Sequence, residues 1–322
     1  MLRAKITAIE YYLPEKILTN IELAELFPEW GVEKIAVKTG ISRRHIAAAE
    51  ETSSDLACAA VHKLFNSGLC HPKEVDFLLL CTQTPDRALP SAACILQDRL
   101  GLPTSCGALD FNLGCSGYVY GLSLAKGLIE TGQAEKVLLV TAETYSKLLD
   151  PKDKTVRTLF GDGAAATLIS ASASDLDTNI GPFVMGTDGS GGPNLICTQG
   201  GFRKEAEAPL YMNGPEIFNF TIKAVPIAVD SLLAKAGLIK DDVDLFVFHQ
   251  ANAYMLEHLR KKVGIPHHKF VVAMENSGNT VSATIPIALK VAALDGRLVS
   301  GMRVMVVGFG VGYSWGAAIL RW

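Results

Sequence analysis

The feature that most constrains the fold of this chain is one sequence pattern that occurs twice at a long interval. In the first copy, Gly68-Leu69 leads through a short polar stretch to an apolar strand at 75–80. In the second copy, Gly237-Leu238 leads in the same way to an apolar strand at 243–248. A period this long indicates a duplicated domain, because solenoids are built from much shorter repeats.

The elements that follow also correspond in the two copies. Each copy continues with a short strand, a turn of small residues, a helix and a further apolar strand. In the first copy we predict the strand at 108–111, the turn at 112–117, the helix to about residue 129 and the further strand at 136–141. In the second copy we predict the strand at 270–274, the turn at 276–280, the helix to about residue 294 and the further strand at 302–307. We therefore expect two halves of the same fold, residues 1–172 and residues 173–322.

The strands are continuous apolar runs that alternate with helices. This pattern is typical of mainly parallel sheets that helices cover on both faces. Ligand sites in such sheets lie beyond the carboxyl ends of the strands. Cys115, His249 and Asn279 each follow a predicted strand at corresponding places in the duplicated pattern. The sequence therefore predicts a site that contains these three residues.

Composition and charge exclude several other classes of protein. The chain has 322 residues with 49% hydrophobic and 20% charged residues, as expected for a large buried core. Its net charge of −3 gives no reason to expect nucleic acid or an anionic membrane as a partner. The N-terminal segment lacks the apolar core of a signal peptide, and no apolar run is long enough to span a bilayer. We expect a soluble, cytoplasmic protein.

Cysteine usage indicates reduced thiols. The seven cysteines include no C-x-x-C pair, so neither a disulfide framework nor a zinc site is expected. Cys115 differs from the others because it lies between Gly114 and Ser116-Gly117 at the entry to a predicted helix. A helix N-terminus stabilises a thiolate, so we predict a nucleophile with a lowered pKa. The alternative is a small buried apolar residue at a strand–helix turn.

The other two residues carry weaker signals. His249 begins an abrupt polar run, 249–252, directly after a buried strand, which favours a functional role over simple capping. Asn279 lies in 277–280, which also has the composition of an ordinary turn. The glycine-rich segment 308–312 has no βαβ unit after it, so it is not a dinucleotide fingerprint, and we expect a loop that closes over the site.

Together these motifs resemble the thiolase superfamily, and specifically the β-ketoacyl-acyl-carrier-protein synthase III family. The resemblance is carried along the whole chain by 12–14, 38–41, 44–45, 89–92, 114–117, 160–164, 249–252, 278–280 and 308–315. It implies a thiolase-like, duplicated, five-layered αβαβα fold and a homodimer.

The resemblance also implies a ping-pong condensation without a metal or redox cofactor. Cys115 would take an acyl group from acyl-coenzyme A, and malonyl-acyl-carrier protein would then decarboxylate and attack the thioester. His249 and Asn279 would be donors to the malonyl thioester oxygen, and the backbone N–H groups of Cys115 and Val311 would hold the acyl-enzyme oxyanion. Within the family the position of Val311 is usually glycine.

Contacts with the substrates are where the sequence departs from the family. Lys34 occupies the position of a tryptophan that stacks on adenine, and Tyr254 that of an arginine credited with carrier contacts. Lys154 occupies the position of the basic residue in a further motif of the family. The resemblance implies coenzyme A contacts at Lys34, Lys38, Lys154, Arg157 and Asn252, and an acyl-pocket residue at Leu89. Because Arg260, Lys261 and Lys262 follow Tyr254 on the same predicted helix, we hypothesise that carrier docking has shifted to them; the alternative is an ordinary solvated face.

Other functions remain open at this point. A specialised relative would prime an acyl chain of a secondary metabolite or a surface polysaccharide. A superfamily member that moves an acyl group to oxygen or nitrogen would need no condensation, and the retention of both donors argues against it. A non-catalytic dimeric partner would have no need for Cys115, His249 and Asn279 together.

Overall fold

The computed structural model describes residues 2–173, 179–204 and 206–322. The strands are β1 (Arg3–Tyr12), β2 (Lys16–Thr19), β3 (Arg43–Ile46), β4 (Phe77–Cys81), β5 (Gly107–Phe111), β6 (Lys136–Glu143), β7 (Gly163–Ser172), β8 (Ile180–Thr187), β9 (Leu195–Ile196), β10 (Tyr211–Met212), β11 (Leu245–Phe248), β12 (Arg303–Gly310) and β13 (Ser314–Arg321). The α-helices are α1 (Asn20–Leu26), α2 (Val32–Thr39), α3 (Ser53–Asn66), α4 (Ala92–Arg99), α5 (Gly117–Glu130), α6 (Lys154–Arg157), α7 (Gly214–Ala236), α8 (Ala253–Val263) and α9 (Thr284–Leu294).

Two larger sheets organise the chain. The first has the strand order β1-β7-β6-β4-β5, and the second has the order β11-β12-β13-β8. Strand β4 is parallel to both β5 and β6, and β11 is parallel to β12, whereas the remaining pairs in these sheets are antiparallel. Each sheet is therefore mixed, and its parallel part contains the strands that lead to the predicted site residues. The turn between β12 and β13 is short, and a short turn requires antiparallel pairing.

The two sheets contain the duplicated pattern in matching geometry. The backbone N–H of Asp76 donates to the carbonyl of Lys136 (2.9 Å), and the Asp76 carboxylate accepts from the Lys136 N–H (2.8 Å). Asp244 makes the same two bonds with Arg303, at 2.9 and 2.7 Å. The strands of the first sheet end at residue 172 and those of the second begin at residue 180. The boundary between residues 172 and 173 stays a prediction.

Helices separate and cover the sheets. Helices α5 and α9 lie between them, in a buried cluster with residues of both sheets. Helices α3 and α4 cover the outer face of the first sheet, and α7 and α8 that of the second. Gly121 allows α5 to approach the first sheet closely, since a Cβ there would lie 2.5 Å from Leu139 Cδ1. The expected five-layered αβαβα arrangement is confirmed.

Helix α7 is long and apolar enough to cross a bilayer by length and composition, a test that core helices of globular proteins also pass. It packs against β8, β12, β13 and α8. Val225, Val229 and Leu232 are buried in the core on this side of the second sheet.

One predicted strand is wrong. Residues 270–274 form a single parallel bridge, between Phe270 and Phe246. Beyond it the Gln250 side chain replaces strand pairing: its Nε2 donates to the carbonyl of Val271 (3.3 Å), and its Oε1 accepts from the Ala273 N–H (2.7 Å). A side-chain amide has both a donor and an acceptor, so it satisfies a backbone that does not continue as a strand.

Candidate active site

One cavity of about 90 Å³ brings Cys115, His249 and Asn279 together. All three side chains are buried. Cys115 follows β5, His249 directly follows β11, and Asn279 follows the segment that contains the Phe270 bridge. Within the described part of the chain, no group of three or more His, Cys, Asp or Glu side chains is placed to hold a metal ion.

The end of β12 lies directly on the cysteine. A Cβ at Gly310 would lie 2.9 Å from the Cys115 sulfur, and one at Gly308 would lie 2.7 Å from the Cys115 carbonyl oxygen. The glycine-rich segment therefore ends a strand instead of forming only a closing loop, and its lack of side chains lets the backbone reach the site. The backbone N–H groups of Cys115 and Val311 favour the thiolate form of Cys115.

The predicted lowering of the Cys115 pKa is wrong. Helix α5 begins at Gly117, with Ser116 as its N-cap, so Cys115 lies just before the helix as expected. Burial, and secondarily the Glu143 carboxylate, raises the pKa of the Cys115 thiol to about 12. A thiolate without water loses more solvation energy than the helix end and two N–H groups return. The Cys115 side chain is therefore a neutral thiol at physiological pH, and its use as a nucleophile would require a proton acceptor.

His249 lines the same cavity as Cys115. Burial lowers the pKa of His249 to about 3, so the ring is neutral. Its Nδ1 lies 2.7 Å from the Thr284 hydroxyl, which donates to the carbonyl of Val281 (3.1 Å). The hydroxyl oxygen therefore accepts from Nδ1–H, and Nε2 keeps a lone pair. In the other tautomer the ring has lost its Nδ1 proton and gained one on Nε2, so the Thr284 hydroxyl donates to Nδ1 and Nε2–H is a donor.

Asn279 is fixed by bonds that leave its amide nitrogen available to act. Its Oδ1 accepts from the Val281 N–H at 2.9 Å, which sets the orientation of the side chain. Its Nδ2 makes a long contact, 3.5 Å, with the carbonyl of Ala251. A contact at this limit is weak. The amide is therefore a neutral donor that faces the cavity.

Glu143 is a buried carboxyl group that sequence reasoning missed. One oxygen accepts from the Ser282 hydroxyl (2.7 Å), and the other accepts from the Gln83 N–H (3.0 Å) and the Thr84 hydroxyl (3.2 Å). Burial raises the pKa of Glu143 to about 8. The sequence contained a signal for this group, because a charged residue ends the apolar run of strand β6. Glu143 joins the cysteine half of the site to the segment beside Asn279.

Replacing Glu143 with glutamine should make Cys115 more reactive at high pH. Above about pH 8 the wild-type carboxylate is charged and opposes thiolate formation, and glutamine removes this charge. We expect equal rates of iodoacetamide alkylation of Cys115 near pH 6.5, and a roughly tenfold faster rate in Glu143→Gln at pH 9. Exposed Cys94 is the internal control. A rate ratio that does not change with pH would contradict the prediction.

Three of the predicted coenzyme A contacts gather around one tryptophan. The ammonium groups of Lys34, Lys38 and Lys154 lie 5.6, 4.8 and 5.8 Å from the centroid of the Trp30 ring. Lys154 also pairs with Glu29 at 2.6 Å. Sequence reasoning placed Lys34 where relatives have a tryptophan and overlooked Trp30, one helical turn earlier. The sequence signal for this position was the tryptophan itself, which lies in the short segment before α2.

The other predicted substrate contacts are more scattered. Asn252 lines the Cys115 cavity and caps α8, with its Oδ1 accepting from the Met255 N–H at 2.9 Å. Arg157 is half-buried, and its Nε has no hydrogen-bond partner within the described residues. Leu89 is 83% exposed and does not line the Cys115 cavity. Its predicted place in an acyl pocket is therefore not formed within one chain.

The predicted carrier-docking residues differ in how far other groups of the chain hold their side chains. Arg260 binds Glu257 through Nε and Nη2, at 2.8 and 2.7 Å, and its Nη1 donates to the carbonyl of Ile265 at 2.8 Å. Its guanidinium therefore holds the end of α8. Lys261 lies 3.2 Å from Glu257 with 69% of its side chain exposed, and Lys262 is exposed. The lysines are the better candidates for a carrier surface.

Comparison with known proteins agrees with this geometry. A family model for 3-oxoacyl-[acyl-carrier-protein] synthase III matches residues 109–189, and one for its C-terminal part matches residues 233–322. A crystal structure of a 3-oxoacyl-(acyl-carrier-protein) synthase III is 55% identical, with a TM-score of 0.97 over 99% of this chain and 100% of that one. The enzyme from Burkholderia xenovorans LB400 is 38% identical, with a TM-score of 0.93 over 99% of this chain and 95% of that one. The enzyme from Thermus thermophilus is also 38% identical, with a TM-score of 0.91 over 99% of this chain and 99% of that one. The chain belongs to the 3-oxoacyl-[acyl-carrier-protein] synthase III family, acyltransferases of the thiolase superfamily.

Proposed function

We propose that this chain condenses an acyl-coenzyme A primer with malonyl-acyl-carrier protein and so initiates fatty-acid or related acyl-chain synthesis. The observation that carries the proposal is the single cavity lined by Cys115, His249 and Asn279. A nucleophile, a proton carrier and a neutral donor are the groups that such a condensation requires.

In the first half-reaction, the Cys115 sulfur attacks the thioester carbonyl of acyl-coenzyme A. The bond from the acyl carbon to Cys115 forms, and the bond to the coenzyme A sulfur breaks. His249 Nε2 accepts the thiol proton and returns it to the departing coenzyme A thiolate. The backbone N–H groups of Cys115 and Val311, which favour a negative charge on the Cys115 sulfur, are suited to stabilise the oxyanion.

In the second half-reaction, the malonyl thioester loses carbon dioxide. The electron pair of the broken bond moves into an enolate, whose oxygen accepts from His249 Nε2–H and Asn279 Nδ2. The enolate carbon attacks the acyl group on Cys115, and the bond to the sulfur breaks. The 3-oxoacyl product leaves on the carrier, and the thiolate takes up one proton from solvent, which balances the loss of the malonyl carboxylate as carbon dioxide. Apart from that proton, every step uses groups of the chain and of the two substrates, so the proposal requires no cofactor.

Trp30 and its three lysines are the proposed site for the nucleotide part of coenzyme A. A partly exposed indole offers a stacking face to adenine, and ammonium groups attract phosphates. Lys34, Lys38 and Lys154 are already near this ring. Asn252 and Arg157 are proposed to contact the rest of the molecule on its way to Cys115.

We further propose a cytoplasmic homodimer that has no nucleic-acid or membrane partner. Strand β5 is at the edge of the first sheet, and its Leu109 side chain is 46% exposed. An exposed apolar edge strand is a template for pairing with a second chain. Leu89, which is exposed within one chain, would then line the acyl pocket of the other copy.

The carrier protein is proposed to dock on Lys261 and Lys262, beside the Arg260 that caps α8. Reversing both charges, as Lys261→Glu/Lys262→Glu, should lower kcat/KM for malonyl-carrier protein roughly tenfold at low ionic strength, because steering of an acidic partner is lost. The effect should shrink as salt increases. Acylation from coenzyme A is the control. Unchanged carrier kinetics at every ionic strength would place docking elsewhere.

A direct assay separates condensation from the alternatives. With acetyl-coenzyme A and malonyl-carrier protein, the enzyme should release one carbon dioxide for each acetyl group transferred and yield 3-oxobutyryl-carrier protein. Transfer to oxygen or nitrogen without carbon dioxide release would refute condensation. The absence of any acyl-enzyme would refute the catalytic function.

A further inference from the structure

One backbone position carries hydrogen bonds to the supports of both proposed donors. The N–H of Val281 donates to Asn279 Oδ1 at 2.9 Å. The carbonyl of the same residue accepts from the Thr284 hydroxyl at 3.1 Å, and that hydroxyl lies 2.7 Å from His249 Nδ1. A rotation of the backbone at Val281 would therefore change the surroundings of Asn279 and of His249 together.

Val281 has a backbone conformation that its side chain disfavours. Its φ is +55°, and within the described part of the chain it is the only residue other than glycine with a positive φ. A left-handed conformation brings the Cβ of an L-residue close to its own backbone, and a β-branched side chain makes this worse. Such a conformation persists only where the surrounding structure holds it. The contacts on either side of Val281 therefore have to keep it in place.

A hydrogen bond to the first half of the chain holds the next residue. The hydroxyl of Ser282 donates to Glu143 Oε1 at 2.7 Å, and both side chains are buried. Glu143 ends β6, and its other oxygen accepts from the Gln83 N–H (3.0 Å) and the Thr84 hydroxyl (3.2 Å). Three donors fix the carboxyl group, so it is a rigid anchor for the residue that directly follows Val281.

A second buried serine near Asn279 has no such anchor in its hydrogen bond. Ser277 lies two residues before Asn279, and its hydroxyl donates to the carbonyl of its neighbour Gly278 at 3.2 Å. This bond stays within one segment of the chain. The two serines therefore offer the same substitution at similar burial, with and without a bond to the other half.

We propose that Ser282 is a positioning residue for the decarboxylation step. Its bond to Glu143 keeps Val281 in the left-handed conformation, and that conformation orients the amide of Asn279 and the hydroxyl of Thr284. Ser282 itself does not touch the substrate. This inference rests on the proposed function, because it concerns the malonyl half-reaction.

The test measures release of labelled carbon dioxide from malonyl-carrier protein by Ser282→Ala. Without the hydroxyl, Val281 relaxes and the Asn279 amide loses its fixed direction, so kcat should fall roughly tenfold, because a small misplacement of a donor is costly. KM should stay within about twofold, since the donors act on a charge that develops only after binding. Ser277→Ala should keep the wild-type kcat.

Acylation by acetyl-coenzyme A distinguishes positioning from a general loss of structure. It should stay within about threefold of wild type in Ser282→Ala, because the Thr284 oxygen still accepts from Nδ1–H of His249 when the backbone at Val281 turns. If Ser282→Ala does not fold, Ser282→Cys, whose thiol is only a weak donor, is measured in its place.

Val281→Gly tests the conformational part of the proposal. Glycine adopts a positive φ without a Cβ, so the turn then needs no anchor. Adding Ser282→Ala to Val281→Gly should lower decarboxylation less than about threefold, against roughly tenfold when Val281 is present. Both rates are measured in the same background, so the space left by the valine side chain affects both equally.

Three results would overturn the proposal. They are an unchanged decarboxylation kcat in Ser282→Ala, an equal loss in Ser282→Ala and Ser277→Ala, and an equal effect of Ser282→Ala with and without Val281→Gly. A wild type that releases no carbon dioxide from malonyl-carrier protein would instead refute the proposed function.

Discussion

Replacing Cys115 with alanine should abolish acyl-enzyme formation. Incubation of the wild type with acetyl-coenzyme A should add one acetyl mass per chain, and Cys115→Ala should add none. The physical reason is that Cys115 lines one cavity with His249, and that the backbone N–H groups of Cys115 and Val311 favour its thiolate. Condensation should fall to the background rate, because the acyl intermediate then has no nucleophile to hold it.

The remaining cysteines supply the control for this experiment. Cys94 is exposed, and Cys81 is buried with its pKa raised by desolvation. Cys94→Ala should leave the adduct unchanged. Peptide mapping should find the acetyl group on Cys115 only. An adduct that persists in Cys115→Ala, or that maps to Cys81 or Cys94, would refute the proposed nucleophile.

Replacing Asn279 with alanine should separate the two half-reactions. The amide is oriented by the Val281 N–H and is proposed to bind only the enolate oxygen, which does not exist during acylation. We expect acylation within about threefold of wild type. Malonyl decarboxylation should fall by roughly two to three orders of magnitude, the usual effect of losing one such donor. The measurements are acyl-enzyme mass and release of labelled carbon dioxide.

His249 should behave differently from Asn279. Because the Cys115 thiol is neutral at physiological pH, His249 has to accept its proton in the first half-reaction as well as donate in the second. His249→Ala should therefore lower both half-reactions. Selective loss of decarboxylation in His249→Ala would mean that the thiol loses its proton by another route. Equal loss of both half-reactions in Asn279→Ala would show that this residue positions Cys115.

The duplicated fold followed from the sequence. The meeting of Cys115, His249 and Asn279 also followed, although Cys115 and His249 follow strands of different sheets and the segment before Asn279 forms only a single bridge. The pKa of Cys115 did not follow. It depends on burial beneath Gly310, a contact between residues far apart in the chain. The role of Glu143 likewise depends on donors from two segments. Trp30 was missed because its position relative to the lysines depends on the path of the chain into α2.

The middle layer of the molecule makes the two halves inseparable in folding. Helices α5 and α9 each contribute to one core that includes strands of both sheets. Neither half can bury the apolar face of its own sheet alone, so a fragment of either would expose a surface that the other now covers. The two halves therefore still share one architecture, but the stability of each depends on the other. Loss of structure in one half therefore removes packing that supports the candidate site residues in the other.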